Sequence, residues 1–202
     1  MTPIIVGITS IISIIAFSDR NLFARLQFNP YQTYHRKEWY RIITHGFLHA
    51  DWMHLIINMF VLFSFGAYVE SCFAFMAQHT WMKMPALWFV IFYLLSLIIS
   101  SLTTLYRHKD HEWYNSVGAS GAVSAVLFCC IFFEPRQSLL IMGVLPIPAY
   151  VFGMLYLLYS YYSARKATDN INHDAHFCGA VFGFCFPLLI DVKLIRLFVE
   201  QF

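Results

Sequence analysis

Apolar residues fall in long blocks along this chain, and the blocks predict its elements. Six of them, at 3–17, 52–73, 85–106, 118–133, 139–161 and 175–190, approach the ~20 residues with which a helix crosses a bilayer. A helix that is apolar on every side must be covered by protein or lipid. The first connection, 18–51, is long and mixes Phe28, Tyr31, Tyr34, Trp39 and Tyr40 with charges, which predicts a loop folded on the membrane surface. Glu134–Pro135–Arg136 is a short turn, and the other connections are of middling length. Trp52, Trp81 and Trp113 fall at or near the starts of segments, where interfacial anchors belong. The expected fold is all-α: a single membrane domain over 1–202, with six transmembrane helices in a bundle and a long first loop.

Composition agrees with that picture. Of 202 residues, 59% are hydrophobic and only 12% charged, about half the share of a soluble domain. A net charge of +2, with no basic run, zinc-finger spacing or phosphate-binding glycine loop, argues against a nucleic-acid partner. The five cysteines lie in apolar stretches without a C-x-x-C pair, so neither a disulfide framework nor a zinc site is expected. No basic residue precedes the first apolar block and no A-x-A site follows it, so it is expected to be a membrane helix rather than a cleaved signal. The second, fourth and sixth segments start from one face, which carries nine of the 13 lysines and arginines. The positive-inside rule taken alone puts that face in the cytoplasm.

Polar groups inside membrane segments are costly and point to function. His54 and Asn58 open the second segment, four apart and so on one helix face; a pair stitching helices together is the plainer reading. Gly118-Ala119-Ser120-Gly121 opens the fourth. A serine among small residues usually serves packing, yet one at a helix N-terminus has free backbone N–H groups beside it, suited to a developing oxyanion. The glycines would let a substrate backbone come close. The sixth segment opens with His176, and Ala175, Gly179 and Gly183 form a small-residue stripe matching Gly121 and Ala125 on the fourth. If the two stripes pack, Ser120 and His176 meet. His173 competes for the same role but is expected in the preceding loop. A serine, a histidine base and extra donors at one depth are the parts of an acyl-transfer site. Asp174 precedes His176 by two residues and, as an i, i+2 neighbour, points elsewhere, so a dyad is the simpler expectation.

These residues resemble the rhomboid family of intramembrane serine proteases. The resemblance rests on G-x-S-G at Gly118–Gly121, A-H-x-x-G-x-x-x-G from Ala175 to Gly183, H-x-x-x-N at His54–Asn58, Gly66 with Glu70, and His45 and His49 before His54. It implies Ser120 as nucleophile, His176 as general base and then acid, and an oxyanion hole of His54, Asn58 and the Ser120 N–H. It also implies Arg41 bracing the first loop, membrane-spanning protein substrates, and no metal or organic cofactor. Two departures stand out. The first-loop pair is Tyr40-Arg41, with Trp39 one position earlier. Four residues beyond the serine, where a tyrosine often stacks on the histidine, stands Ser124. The resemblance implies a bacterial inner membrane with the site opening outward, against the charge bias. The fifth segment and the loop 163–174 are a candidate gate and cap, and the apolar, aromatic run 150–162 is equally consistent with plain lipid contact.

Three rivals are weighed beside this reading. The first is a catalytically silent protein of the same fold that binds and guides transmembrane helices. The second is a metal protease using His45, His49, His54 and His173, which lacks H-E-x-x-H. The third is a transporter, which predicts related halves that the sequence lacks.

Overall fold

A computed structural model describes residues 1–141, 144–166 and 171–202. Helix α1 (Thr2–Ser18) starts with Pro3 in its first turn. Asp19 then ends α1 and caps α2 (Arg20–Leu26), accepting from the Asn21 and Leu22 N–H groups. Asn29 caps α3 (Pro30–His35), whose first residue is a proline. A short α4 (Arg41–Thr44) and a 3-10 turn (His45–Phe47) complete the first loop.

Arg41 holds that loop together. Its guanidinium, almost fully buried, donates to Glu38 at 2.6 Å and to the Ala24 and Gln27 carbonyls at 2.9 and 2.8 Å. Phe28 and Ser116 exchange backbone hydrogen bonds of 3.0 and 2.9 Å, pinning the loop to the segment before the fourth apolar block.

Helix α5 (Trp52–His79) is capped by Asp51 and runs six residues past the expected end at 73. Near its far end Glu70 accepts from the Thr2 N–H and hydroxyl at 2.5 and 2.6 Å. Gly66 leaves the space that Thr2 fills. Helix α6 (Pro85–His108) follows, and α7 (Ser120–Phe133) lies at the centre, with every residue from 121 to 132 buried.

Strands β1 (Ser138–Ile141) and β2 (Leu145–Pro148) form an antiparallel hairpin, and only then does α8 (Ala149–Lys166) begin. The helix expected over 139–161 is corrected accordingly. Pro146 and Pro148 lack the N–H groups a helix needs there, but an edge strand tolerates them. Helix α9 (His173–Ile190) starts two residues earlier than expected because Asn172 caps it, accepting from the Ala175 N–H at 3.1 Å. His173 is thus the first residue of the helix and not part of a loop. A 3-10 turn (Val192–Leu194) and α10 (Ile195–Val199) finish the chain.

The fold is mostly helical. Among the described residues three helices, α5, α6 and α9, are long and apolar enough to cross a membrane; α1 and α7 are apolar but shorter. Helix α7 packs most intimately on α9 and also meets α5, α6 and α8. Its contact with α9 is backbone on backbone: a Cβ at Gly179 would fall on the Gly121 carbonyl, and one at Gly183 on that of Ala125.

Candidate active site

The close approach of α7 and α9 sets the first feature of the site. Ser120 opens α7, His176 sits in the first turn of α9, and Ser120 Oγ lies 2.7 Å from His176 Nε2. Asn172 fixes the start of α9. Its side-chain amide donates to Thr104 Oγ1 on α6 at 2.8 Å and to Ser116 Oγ at 3.4 Å. Asp174 is engaged by Arg107 of α6 in an ion pair. That pairing turns the first-turn carboxylate of α9 toward α6.

The second feature is a set of donors. No side chain caps α7, whose Ncap is Ala119, so its first backbone N–H groups present the positive end of the helix dipole. Gly118, at φ +124°, makes the turn into that helix. A Cβ at Gly118 would meet His54 Cε1 at 2.7 Å and Nε2 at 3.0 Å, so the glycine is what admits the His54 ring beside Ser120. Gly121 serves packing instead: its open side is filled by Ser100 and by the Ala175 carbonyl at 3.4 Å. Asn58 donates one amide hydrogen to the His54 carbonyl at 2.8 Å, which leaves the second N–H of its NH₂ group for the cavity.

Behind His54 lies a column of histidines. His49, fully buried, meets the His54 ring edge-on at 4.9 Å and bonds Ser13 of α1 at 3.0 Å through Nδ1. His45 bonds Ser101 of α6 at 3.0 Å, and its carbonyl accepts from the Gly118 N–H. Burial pushes the His45 imidazole down to about 4. Burial, with the neighbouring His54 second, pushes His49 down to about 3. Both rings are therefore neutral supports at physiological pH. Among the described residues no group of three His, Cys, Asp or Glu side chains comes together as metal ligands do.

Ser120, His176, His54, Asn58, Gly118 and His45 border a cavity of about 830 Å³. Its floor is polar, with Ser120, His176, His54 and Asn58; its walls include Met53, Ile57, Val61, Leu127 and Phe152. Tyr156 of α8 also lines it, and sequence reasoning missed this residue. Its ring lies 6.4 Å from that of His176, tilted 27°, and its hydroxyl is 2.6 Å from Ser124 Oγ. The site therefore has a tyrosine ring beside the histidine although Ser124 takes the place expected for one. Nothing in the spacing of the five tyrosines between 150 and 162 singles out Tyr156. Of the expected cap, 163–174, residues 167–170 lie outside the described residues.

Comparison with known proteins adds two findings. The family model of the Rhomboid domain matches residues 36–191. A protein of Arabidopsis thaliana named "RHOMBOID-like protein 12, mitochondrial" is 29% identical over 143 residues, covering 69% of this chain and 43% of that protein. The chain thus spans less than half the length of this relative.

Proposed function

The chain belongs to the rhomboid family, and from that premise we propose that it is an intramembrane serine endopeptidase acting through a Ser120–His176 dyad on membrane-spanning protein substrates. The observation that carries the reading is the 2.7 Å contact between Ser120 Oγ and His176 Nε2 at an uncapped helix N-terminus inside a cavity.

Each group has a role that follows from its chemistry. His176 takes the Ser120 proton as Oγ attacks the scissile carbonyl, and returns it to the leaving amine. The oxyanion that forms is met by the Ser120 N–H, by the second N–H of Asn58 and by His54, donors that the fold holds in place before the reaction. A second water-dependent step releases the acyl group, so water must reach the site. The reading places six crossings in the bilayer: α5, α6 and α9, the shorter α1 and α7, and the less apolar α8. Helix α7, 14 residues long, spans about 21 Å of a core roughly 30 Å thick. With its far end at the opposite face, Ser120 lies about 9 Å below the near surface, at the bottom of a wet pocket. The apolar walls formed by Ile57 and Val61 of α5 and Phe152 of α8 suit a substrate arriving from the lipid side, with α8 as its gate. A substrate helix must unwind before its carbonyl is accessible, so glycine or proline near the cut lowers the cost.

The compartment is proposed only as an integral membrane. The relative is named for the mitochondrion, which gives the expected bacterial inner membrane no support. Its "-like" name keeps the silent helix-binding reading as the rival. A fluorophosphonate probe separates the two. The protease reading expects a covalent adduct on Ser120 by mass spectrometry, abolished in His176→Ala and unaffected by chelator. An unlabelled Ser120 in folded protein contradicts it.

A further inference from the structure

Helix α8 is held to the bundle by a narrow stripe of Ala149, Gly153, Tyr156 and Ser160, while Met154, Leu155 and Leu158 face outward. Within that stripe Tyr156 reaches both neighbouring helices. Its hydroxyl bonds Ser124 on α7, its ring packs on Phe128 of α7 at 5.5 Å and Phe152 at 5.8 Å, and its face turns to His176 on α9. One turn further along α8, Tyr159 meets His173 edge-on at 5.3 Å. Two tyrosines three apart on α8 thus lie against two histidines three apart on α9, in antiparallel order.

We propose that Tyr156 is a positioning residue for His176, and that through it the seating of α8 sets whether the Ser120–His176 contact is made. The inference rests on the proposed dyad but concerns a different element. An imidazole on the first turn of a helix turns about two torsions. Ser120 restrains one edge of the ring, and Tyr156 walls off the side toward α8. Tyr156 cannot drift with α8 in place, because Ser124 holds its hydroxyl and Phe128 and Phe152 bracket its ring. If α8 moves aside to admit a substrate helix, Tyr156 leaves with it and the His176 ring loses its wall on that side, while the edge-on contact with His173 at 5.9 Å stays within α9. Return of α8 restores ring and contact together. Opening for entry and competence for chemistry are then alternative states of one helix.

The test uses full-length protein in detergent, with Tyr156→Ala, Tyr156→Phe and, as an outward-facing control on α8, Leu155→Ala. Two readouts are taken on each: the rate of fluorophosphonate labelling at Ser120, and the His176 imidazole resonances in ¹⁵N-histidine-labelled protein. Removing the ring in Tyr156→Ala is expected to slow labelling by about 10²-fold, as for a misplaced reacting group. It is also expected to shift the His176 resonances while those of His45 stay in place. Tyr156→Phe keeps the ring and loses one hydrogen bond, so labelling should fall only about fivefold. Leu155→Ala should match the wild type in both readouts. Unmoved His176 resonances in Tyr156→Ala overturn the proposal, as does an equal effect of Leu155→Ala. If wild-type Ser120 is not labelled, the protease reading fails, and the resonances alone decide the role of Tyr156.

Discussion

Replacing Gly179 by alanine tests the packing on which the site depends. The added Cβ would fall on the Gly121 carbonyl oxygen, with Gly121 C and Cα at 2.8 and 3.2 Å. All three obstacles are backbone atoms of a central, fully buried helix, so no side chain can swing aside. Restoring ordinary contact requires α7 and α9 to part by about 1.4 Å, an overpacking strain of about 1–3 kcal/mol. The same displacement lengthens the 2.7 Å Ser120–His176 contact beyond hydrogen-bonding reach. A misplacement of that size costs about 10² in rate. Cleavage of a single-span substrate and thermal unfolding in detergent measure the two effects. Gly7→Ala is the matched control, since nothing lies within 4 Å of its new Cβ; it should keep full activity and an unchanged or higher Tm. A Gly179→Ala protein with the rate and Tm of the wild type would refute the argument that this backbone contact sets the dyad distance.

Other expectations follow from the loop and the donors. Asn58→Ala should lower the turnover rate by about 10²–10³ with little change in KM, because its free N–H meets charge that exists only in the transition state; an equal rise in KM would assign it to substrate binding instead. Arg41→Ala leaves the Ala24 and Gln27 carbonyls without the guanidinium and Glu38 with only the Tyr40 hydroxyl, and should cost about 3 kcal/mol, read as a lower Tm and as faster proteolysis within 18–51. His45 and His49 have depressed values, so the unfolded loop binds protons that the folded loop refuses. Their stabilising contribution is complete above pH 6.5 and is lost as pH falls toward about 4 and about 3. The Tm should therefore decline steadily below pH 6.5, and a Tm that is flat down to pH 4.5 would contradict their neutral burial.

Much of the architecture could be read from the chain because lipid imposes a simple rule, and blocks of apolar residues obey it. Helix starts were legible where a cap or a proline marks them, as at Asp51 and Pro85. The fifth segment misled because Leu139, Leu140 and Ile141 are as apolar as any helix, and the decisive signal was the pair Pro146 and Pro148. Ser120, His176, His54 and Asn58 stood out as polar groups at segment starts, and the fold brings all four to one cavity. Tyr156 did not stand out, because a tyrosine in an interfacial aromatic helix carries no mark of what its ring faces. The pairing of Asp174 with Arg107 was equally hidden, since it joins residues 67 apart in sequence.

The central claim is that Ser120 and His176 act together to cut a membrane-spanning chain. The direct measurement sets purified wild-type protein beside Ser120→Ala and His176→Ala, each with a single-span substrate carrying glycine in the N-terminal half of its helix. Fragments are identified by mass spectrometry. The account predicts cleavage within or beside the span by the wild type and none by either variant. Equal cleavage by all three would make Ser120 a packing residue and contradict the mechanism.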